Sequence, residues 1–543
     1  MGGIMSTSGT RRSIFATPGC GTLFLFLPAA ALIGLALFFA GFRPRHAFGL
    51  LLLLYGAPLM VIGLLAGLLL LLSFITLARS MRLTDPPPPS RWWALPPFAL
   101  GVGLLGFIGL VLALGHRPIQ DLADANRLSS LKSATLDVEA STEPEGSWAQ
   151  WRGPRRDAIS RETHLHLDWE ANTPKVLWNK PIKGGYSSVA IWNGKLYATD
   201  RDGKNERVLC FDAETGDELW NYSYPNDYGG LEFGAGPRAT PTVHDGKVYT
   251  VGATGTMLCL EAEPADGKPK LLWRHDLMDE FDTEAPRWGV SCSPLIEGNL
   301  VIVMPGGPNG SVAAFDRLTG KLAWKALGDV GGYSSPIAGN PGGVRQIICF
   351  TGEGLAGLDP KDGARLWYYP WVTTFEGNIA TPIIAGNYVF ISSSYNKGCA
   401  LLEIVNEAGK LRAEPVYVKA NKLMRNHHST CVLHDGHLYG FDVNTNNNSA
   451  ILKCVDLRTA EEKWADRSIT KGTLLFADGR LVIQTEDGKL VIVEATPEAF
   501  RKKGEFKAFD SSQTWALPAL AKGRLYIRDG HTLQCLDLRR DSK

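Results

Sequence analysis

The 543-residue sequence predicts an all-β fold, an eight-bladed β-propeller, preceded by three transmembrane α-helices, and three observations in it carry the propeller. The first is a recurring phrase: CFDAETGDELW ending at Trp220, FDRLTGKLAW ending at Trp324, GLDPKDGARLW ending at Trp367 and CVDLRTAEEKW ending at Trp464. In each, an Asp (Asp212, Asp316, Asp359, Asp456) precedes the Trp by eight positions, and a fifth copy, Glu261 to Trp273, carries four extra residues. The second is a hairpin-turn signal returning eight times, at Asn193-Gly194, Asp245-Gly246, Glu297-Gly298, Gly342-Gly343, Gly386-Asn387, Asp435-Gly436, Asp478-Gly479 and Lys522-Gly523. The third is the way the array ends. The last unit stops at Lys543 without a Trp strand, while an orphan strand around Trp178 precedes the first complete unit.

One unit is clearest at Ala239 to Trp273: an alternating strand, an Asp-Gly turn, two further strands, and a fourth strand ending in Trp. Four short strands joined by such turns form one antiparallel sheet. A repeat of roughly 40 to 50 residues with four strands per unit marks a propeller, whose sheets bury their faces only against their neighbours. The orphan strand is expected to complete the last blade, sealing the ring with strands from opposite ends of the domain and leaving no edge unpaired.

The segments 22–40, 48–77 and 92–114 are almost free of charge, and each is long enough to cross a bilayer as a helix. Arg11-Arg12 hints at a twin-arginine signal, but a cleaved signal explains one apolar segment and not three in succession. Pro58 predicts a kink in the second helix and Pro96-Pro97 the start of the third. Arg11, Arg12, Arg79, Arg82 and Arg91 on one side, against Arg43, Arg45 and Arg117 on the other, put the N-terminus in the cytoplasm and the propeller outside it. The expected organisation is a cytoplasmic N-terminus (1–21), a three-helix anchor (22–115), a linker (116–146) without apolar periodicity, and the propeller (147–543).

A formal charge of +1 offers no basic field for nucleic acid. Cys210, Cys259, Cys454 and Cys535 hold matching third-strand positions, too far apart around a ring to pair, and read as small buried hydrophobes. No CxxC occurs. His427-His428, adjacent in an extended segment, are expected to face opposite ways and so not to share a metal, and His164 and His166 have no ligand chemistry nearby in sequence.

The DxxTGxxxW copies resemble the tryptophan-docking repeat of pyrroloquinoline quinone (PQQ) propellers, a group that includes quinoprotein dehydrogenases and the propeller-type outer-membrane assembly factor. The opening WAQWRGPRRD (Trp148–Asp157) and GPRATPT (Gly236–Thr242) are similar to uncharacterised bacterial PQQ-like repeat proteins. The resemblance implies a quinoprotein-type ring in which Trp178, Trp220, Trp273, Trp324, Trp367 and Trp464 dock blades and bind no cofactor. Function should then lie in the loops from each fourth strand to the next first strand, around the channel mouth. There Tyr186, Arg238, Trp288, Tyr333, Asn378, His428 and Trp515 are the candidate ligand-binding residues.

Two readings remain open at this level. In one, the propeller is a noncatalytic binding or assembly scaffold for an envelope protein partner or a small-molecule ligand, with no cofactor and no metal. In the other, resembling the dehydrogenases, it binds PQQ and Ca²⁺ and oxidises an alcohol or aldose. That enzyme would draw on Arg238, Arg287 and Arg425 for carboxylates, Glu284, Glu376 and Asn378 for the metal, and Asp279 or Asp282 as base. The adjacent cysteine pair of the family's alcohol dehydrogenases is missing here.

Overall fold

The computed structural model describes residues 146–420 and 423–540. These form eight four-stranded antiparallel sheets, the eight blades expected from the repeat. Blades 1 to 7 are built consecutively from 190–225, 242–276, 295–326, 337–370, 383–419, 432–466 and 472–507. Blade 8 combines 519–537 with the strand Lys175–Pro181, which pairs antiparallel with Thr532–Asp537. The ring therefore closes as the orphan strand predicted. The three predicted transmembrane segments and all but the last residue of the predicted linker lie outside the described residues. Among the described residues no helix is long and apolar enough to cross a membrane.

The turn signals fall between first and second strands, where type I′ geometry requires positive φ: Asn193 and Gly194 sit at 49° and 74°, Asp245 and Gly246 at 47° and 70°. The turn expected at Glu297-Gly298 lies one residue later, because Glu297 still pairs with Leu300.

The phrase ending in Trp works as a unit. Asp316 Oδ1 accepts from the backbone N–H of Leu318 and Thr319 (3.1 and 2.8 Å), which folds the turn between third and fourth strands. Five residues after the turn, Trp324 sits opposite Ala314 at a β-bulge. Trp220, Trp273, Trp464 and Trp178 likewise lie opposite Cys210, Cys259, Cys454 and Cys535, so a small third-strand side chain makes room for each indole. All eight described cysteines are buried and free.

Each indole reaches into the next blade. Nε1 donates to Ala213 O from Trp178, Ala262 O from Trp220, Arg317 O from Trp273, Pro360 O from Trp324 and Thr496 O from Trp464, at 2.7–3.2 Å. The rings of Trp178, Trp273 and Trp324 then lie on the turn glycines of those blades, Gly216, Gly320 and Gly363. A Cβ on Gly363 would come within 2.5 Å of the Trp324 ring, and Gly363 has φ +75°, so glycine is required there twice over. Trp367 is the exception: its Nε1 donates to Gln346 Oε1 in its own blade. The neighbouring blade 5 replaces the Asp-turn with a long hairpin, Gly398–Glu407 against Lys410–Lys419, and offers no docking carbonyl. Blade 5 also has no Trp of its own; Tyr417 takes its place, its hydroxyl donating to Leu457 O in blade 6 at 2.9 Å.

Candidate functional site

The central channel is plugged by the segment that carries WAQWRGPRRD. Trp148 forms a bridge with Ile191 of blade 1, and Ala149 O accepts from Val243 N of blade 2 at 2.7 Å. Arg156 donates to Ser293 O and Pro294 O of blade 3 (2.8 and 2.7 Å), and Trp151 Nε1 to Thr381 Oγ1 of blade 5 (2.9 Å). Arg152 donates to Thr430 O and Cys431 O of blade 6 (3.2 and 2.9 Å), and Ala158 O and Ser160 N bond to Phe476 of blade 7. Both arginines are 2 % exposed, and burial pulls both guanidinium pKa values down to about 10. Among the described residues neither has a carboxylate within ion-pairing distance. Fans of carbonyls hold them instead, which suits the planar, many-donor guanidinium.

The plug enters at the hairpin-turn end, where Glu162 accepts from the Lys522 and Gly523 N–H groups (2.8 and 2.5 Å) and Leu165 N donates to Asp478 (2.9 Å). The opposite end is left as a blind funnel.

That funnel holds a cavity of about 120 Å³ whose floor is Trp151. Of the residues expected at the mouth, Tyr186, Arg238, Tyr333, His428 and Trp515 line it. Their rings join a collar of aromatic contacts. In order, Tyr186, Trp515, His428, His427, Tyr395, Trp288 and Tyr333 touch with centroids 4.8, 4.1, 3.9, 5.3, 5.9 and 5.0 Å apart. Trp288 thus belongs to the collar without lining the cavity.

Asn378 does neither. Its amide nitrogen donates to Thr351 O and Trp371 O (2.7 and 2.9 Å), and its oxygen accepts from Thr373 and Ser393 (2.7 and 2.8 Å), so the buried side chain is wholly engaged in holding its own loops. His427 and His428 depart from the extended geometry expected of them. The segment around them bends, and the two rings stack at 3.9 Å and 29°. Among the described residues no group of three or more His, Cys, Asp or Glu side chains could hold a metal ion.

Other residues were not anticipated. Tyr395 comes from the loop between second and third strands of blade 5, a loop class not expected to reach the mouth, yet its hydroxyl meets His427 Nε2 at 3.0 Å. A layer of hydroxyls lies below the collar. Ser293, Ser335, Thr381 and Thr430 all line the cavity. Three of them, with Thr240 of the same layer, accept a backbone N–H from a neighbouring blade: Thr240 from Ser188, Ser293 from Thr240, Ser335 from Ser293 and Thr430 from Thr381, at 2.9–3.1 Å. The signal for this layer was in plain view as Thr240-Pro241, Ser293-Pro294, Ser335-Pro336 and Thr381-Pro382.

Charges at the mouth are mostly tied up. Arg238 donates to Trp288 O, Glu232 O and Phe233 O at 2.7–2.9 Å and closely to Gly236 O, while its guanidinium lies 5.5 Å from the Tyr186 ring. Arg287 pairs with Glu232 at 2.7 Å, and Arg425 is buried against Asp442 at 2.6 Å.

Burial is the main cause that pulls the His427 imidazole down to about 3, with repulsion from Lys471 adding to it. Its folded pKa lies below the unfolded value near 6.5, so the unfolded chain binds a proton first as pH falls, and stability present above about pH 6.5 is lost on acidification. His427 alone should cost about 2 kcal/mol by pH 5. Denaturant midpoints between pH 7.5 and 5 should show that decline, and H427Q should flatten it; an equal slope in both proteins would refute this account.

The repeat geometry agrees with known proteins. Residues 204–466 match the family model described as outer membrane protein assembly factor BamB. The chain is a PQQ-like repeat β-propeller. Over 166 residues it is 30% identical to the dehydrogenase subunit of a quinone alcohol dehydrogenase from Gluconobacter oxydans (strain 621H), an alignment covering 28% of this chain and 20% of that protein. The chain thus matches about one-fifth of that relative's length. Among solved structures it is similar to the quinohemoprotein alcohol dehydrogenase from Comamonas testosteroni (TM-score 0.53, 14% identity, 77% of this chain and 85% of that one). It is also similar to BamB from Moraxella catarrhalis (TM-score 0.48, 14% identity, 67% of this chain and all of that one).

Proposed function

We propose that this PQQ-like propeller is a noncatalytic binding scaffold, tethered by three N-terminal helices to the cytoplasmic membrane with the ring on the extracytoplasmic side, which receives an envelope protein or small ligand at the channel mouth. The observation that carries this reading is the cavity above the plug. A PQQ dehydrogenase needs cations for three carboxylates, oxygen ligands for Ca²⁺ and a carboxylate base. Among the described residues no carboxylate lines the cavity, Arg238 is its one lining cation with four of its five N–H groups held by backbone carbonyls, and Trp151 of the plug fills part of its wall. At about 120 Å³ the cavity is also well below the roughly 300 to 1,000 Å³ usual for a drug-sized ligand. The residues present do not fit the quinone and its metal.

The rim supports a binding role. Phe233 and Phe375 flank the mouth, 47 % and 44 % exposed, and both are held at positive φ (54° and 62°), a conformation that is costly for a bulky residue. Each stands edge-on to a collar tryptophan, Trp515 and Trp288 respectively.

The test uses full-length protein in right-side-out membrane vesicles, with PQQ and Ca²⁺ added and dye-linked oxidation of alcohols and aldoses followed. No turnover above the PQQ-free control is expected, and protease added outside should release a propeller fragment. PQQ-dependent turnover would replace the scaffold with a dehydrogenase, and a propeller protected from protease would reverse the orientation.

A further inference from the structure

The hydroxyl layer under the collar has a chemical polarity of its own. Ser293 Oγ accepts from Thr240 N, Ser335 Oγ from Ser293 N, Thr430 Oγ1 from Thr381 N, and Thr381 Oγ1 from the Trp151 indole, at 2.9–3.0 Å. All four are 2–4 % exposed, and none donates to a protein acceptor among the described residues. A hydroxyl has one proton to give. With its oxygen already accepting from the scaffold, each of these is oriented to donate, and all four line the same cavity.

The charge at the wall has the same sense. Arg238 has five N–H donors, four of them on carbonyls, and no carboxylate lies within ion-pairing distance of it among the described residues. The nearby Glu232 carboxylate is taken by Arg287 and by Trp288 Nε1 (2.7 and 3.0 Å). The cavity thus offers convergent donors and a positive charge that the buried Glu206 carboxylate offsets only from beyond ion-pairing distance, with no acidic lining. At about 120 Å³ it is a little smaller than the roughly 150 Å³ that takes benzene, room for two to four carbons and a carboxyl group.

We propose that the cavity is a carboxylate-binding site, in which the protons of Ser293, Ser335, Thr381 and Thr430 and the charge of Arg238 receive the two oxygens of a small carboxylate head, flanked by the Tyr186 and Trp515 rings. This deepens the scaffold reading and rests on it. The head can arrive as a free short-chain acid or as the C-terminus of a partner polypeptide; the chemistry is shared.

Calorimetric titration of the full-length protein in detergent separates the sources. One arm uses acetate and propionate with acetamide and propionamide as neutral controls; the other uses N-acetyl-tetraglycine with and without a C-terminal amide. In at least one arm the acid should bind at least tenfold more tightly than its amide. T430V, which removes one donor, should weaken that binding by about tenfold, while T430S, which keeps it, should stay within about threefold. If T430V does not fold, the acid-to-amide ratio of the unaltered protein decides. Absence of binding in both arms, equal binding of acid and amide, or unchanged affinity in T430V would overturn the proposal. Turnover with PQQ is the separate result that would overturn the scaffold reading, so the two failures are distinguishable.

Discussion

Trp324→Ala should destabilise the propeller by about 3 to 5 kcal/mol, the usual cost of deleting a buried aromatic. The indole is 8 % exposed, lies on the Gly363 turn of the next blade and donates to Pro360 O at 3.0 Å. Alanine would remove the ring and the inter-blade hydrogen bond together, and the glycine surface it covered has no side chain with which to fill the gap. Trp324→Phe keeps most of the ring and loses the N–H, so its cost should be smaller, with about 1 kcal/mol of it from the hydrogen bond. Trp367→Phe tests the same idea from the other side, because that indole bonds within its own blade. Denaturant midpoints should rank Trp324→Ala below Trp324→Phe; if the alanine variant unfolds with the parent, docking on the turn is not what holds neighbouring blades together.

Arg152→Met is expected to cost at least about 3 kcal/mol, for a different reason. The guanidinium supplies hydrogen bonds to four carbonyls, those of Arg156, Asp157, Thr430 and Cys431. Methionine keeps the stem and leaves those buried acceptors unpaired, at roughly 1 to 3 kcal/mol each before relief of the buried charge is counted. Lysine should not rescue, since a point-like ammonium cannot span carbonyls on the plug and on blade 6 at once. The readout is the denaturant midpoint together with protease cleavage between 147 and 160, which should appear in the variant. A midpoint unchanged from the parent would show that the plug is a passenger in the channel.

These two residues also show what was legible in the sequence. Trp324 sat in a phrase repeated at fixed spacing, and its role followed from the repeat, because one explanation had to serve every copy. Arg152 and Arg156 stood outside the repeat, in a polar stretch with no periodicity, and nothing local distinguishes an arginine fanned over carbonyls from one in solvent. The grouping of two tryptophans with three arginines around Gly153-Pro154, immediately before the ring, was the available hint. At the mouth, position relative to the first strand located Tyr186, Arg238, Tyr333, His428 and Trp515, since the fold brings those positions together in every blade. It misplaced Asn378, whose amide can satisfy four partners inside its own loops, and it missed Tyr395, which reaches the collar from another loop class. Trp367 broke the docking rule because its neighbour had lost the turn, a dependence between blades that a per-repeat reading does not see.

Closure of the ring by Lys175–Pro181 against Thr532–Asp537 sets a clock on biosynthesis. The strand and the plug before it are made first, but their partners in blade 8 emerge some 350 residues later. At about 5 to 20 residues per second that is roughly 20 to 70 s of waiting. Through that interval the plug has no channel to fill and the Trp178 strand presents an open edge, the condition under which nascent β-chains pair with the wrong neighbour. The arrangement that leaves the finished ring without a seam therefore gathers its hazard into the first minute of the chain's existence.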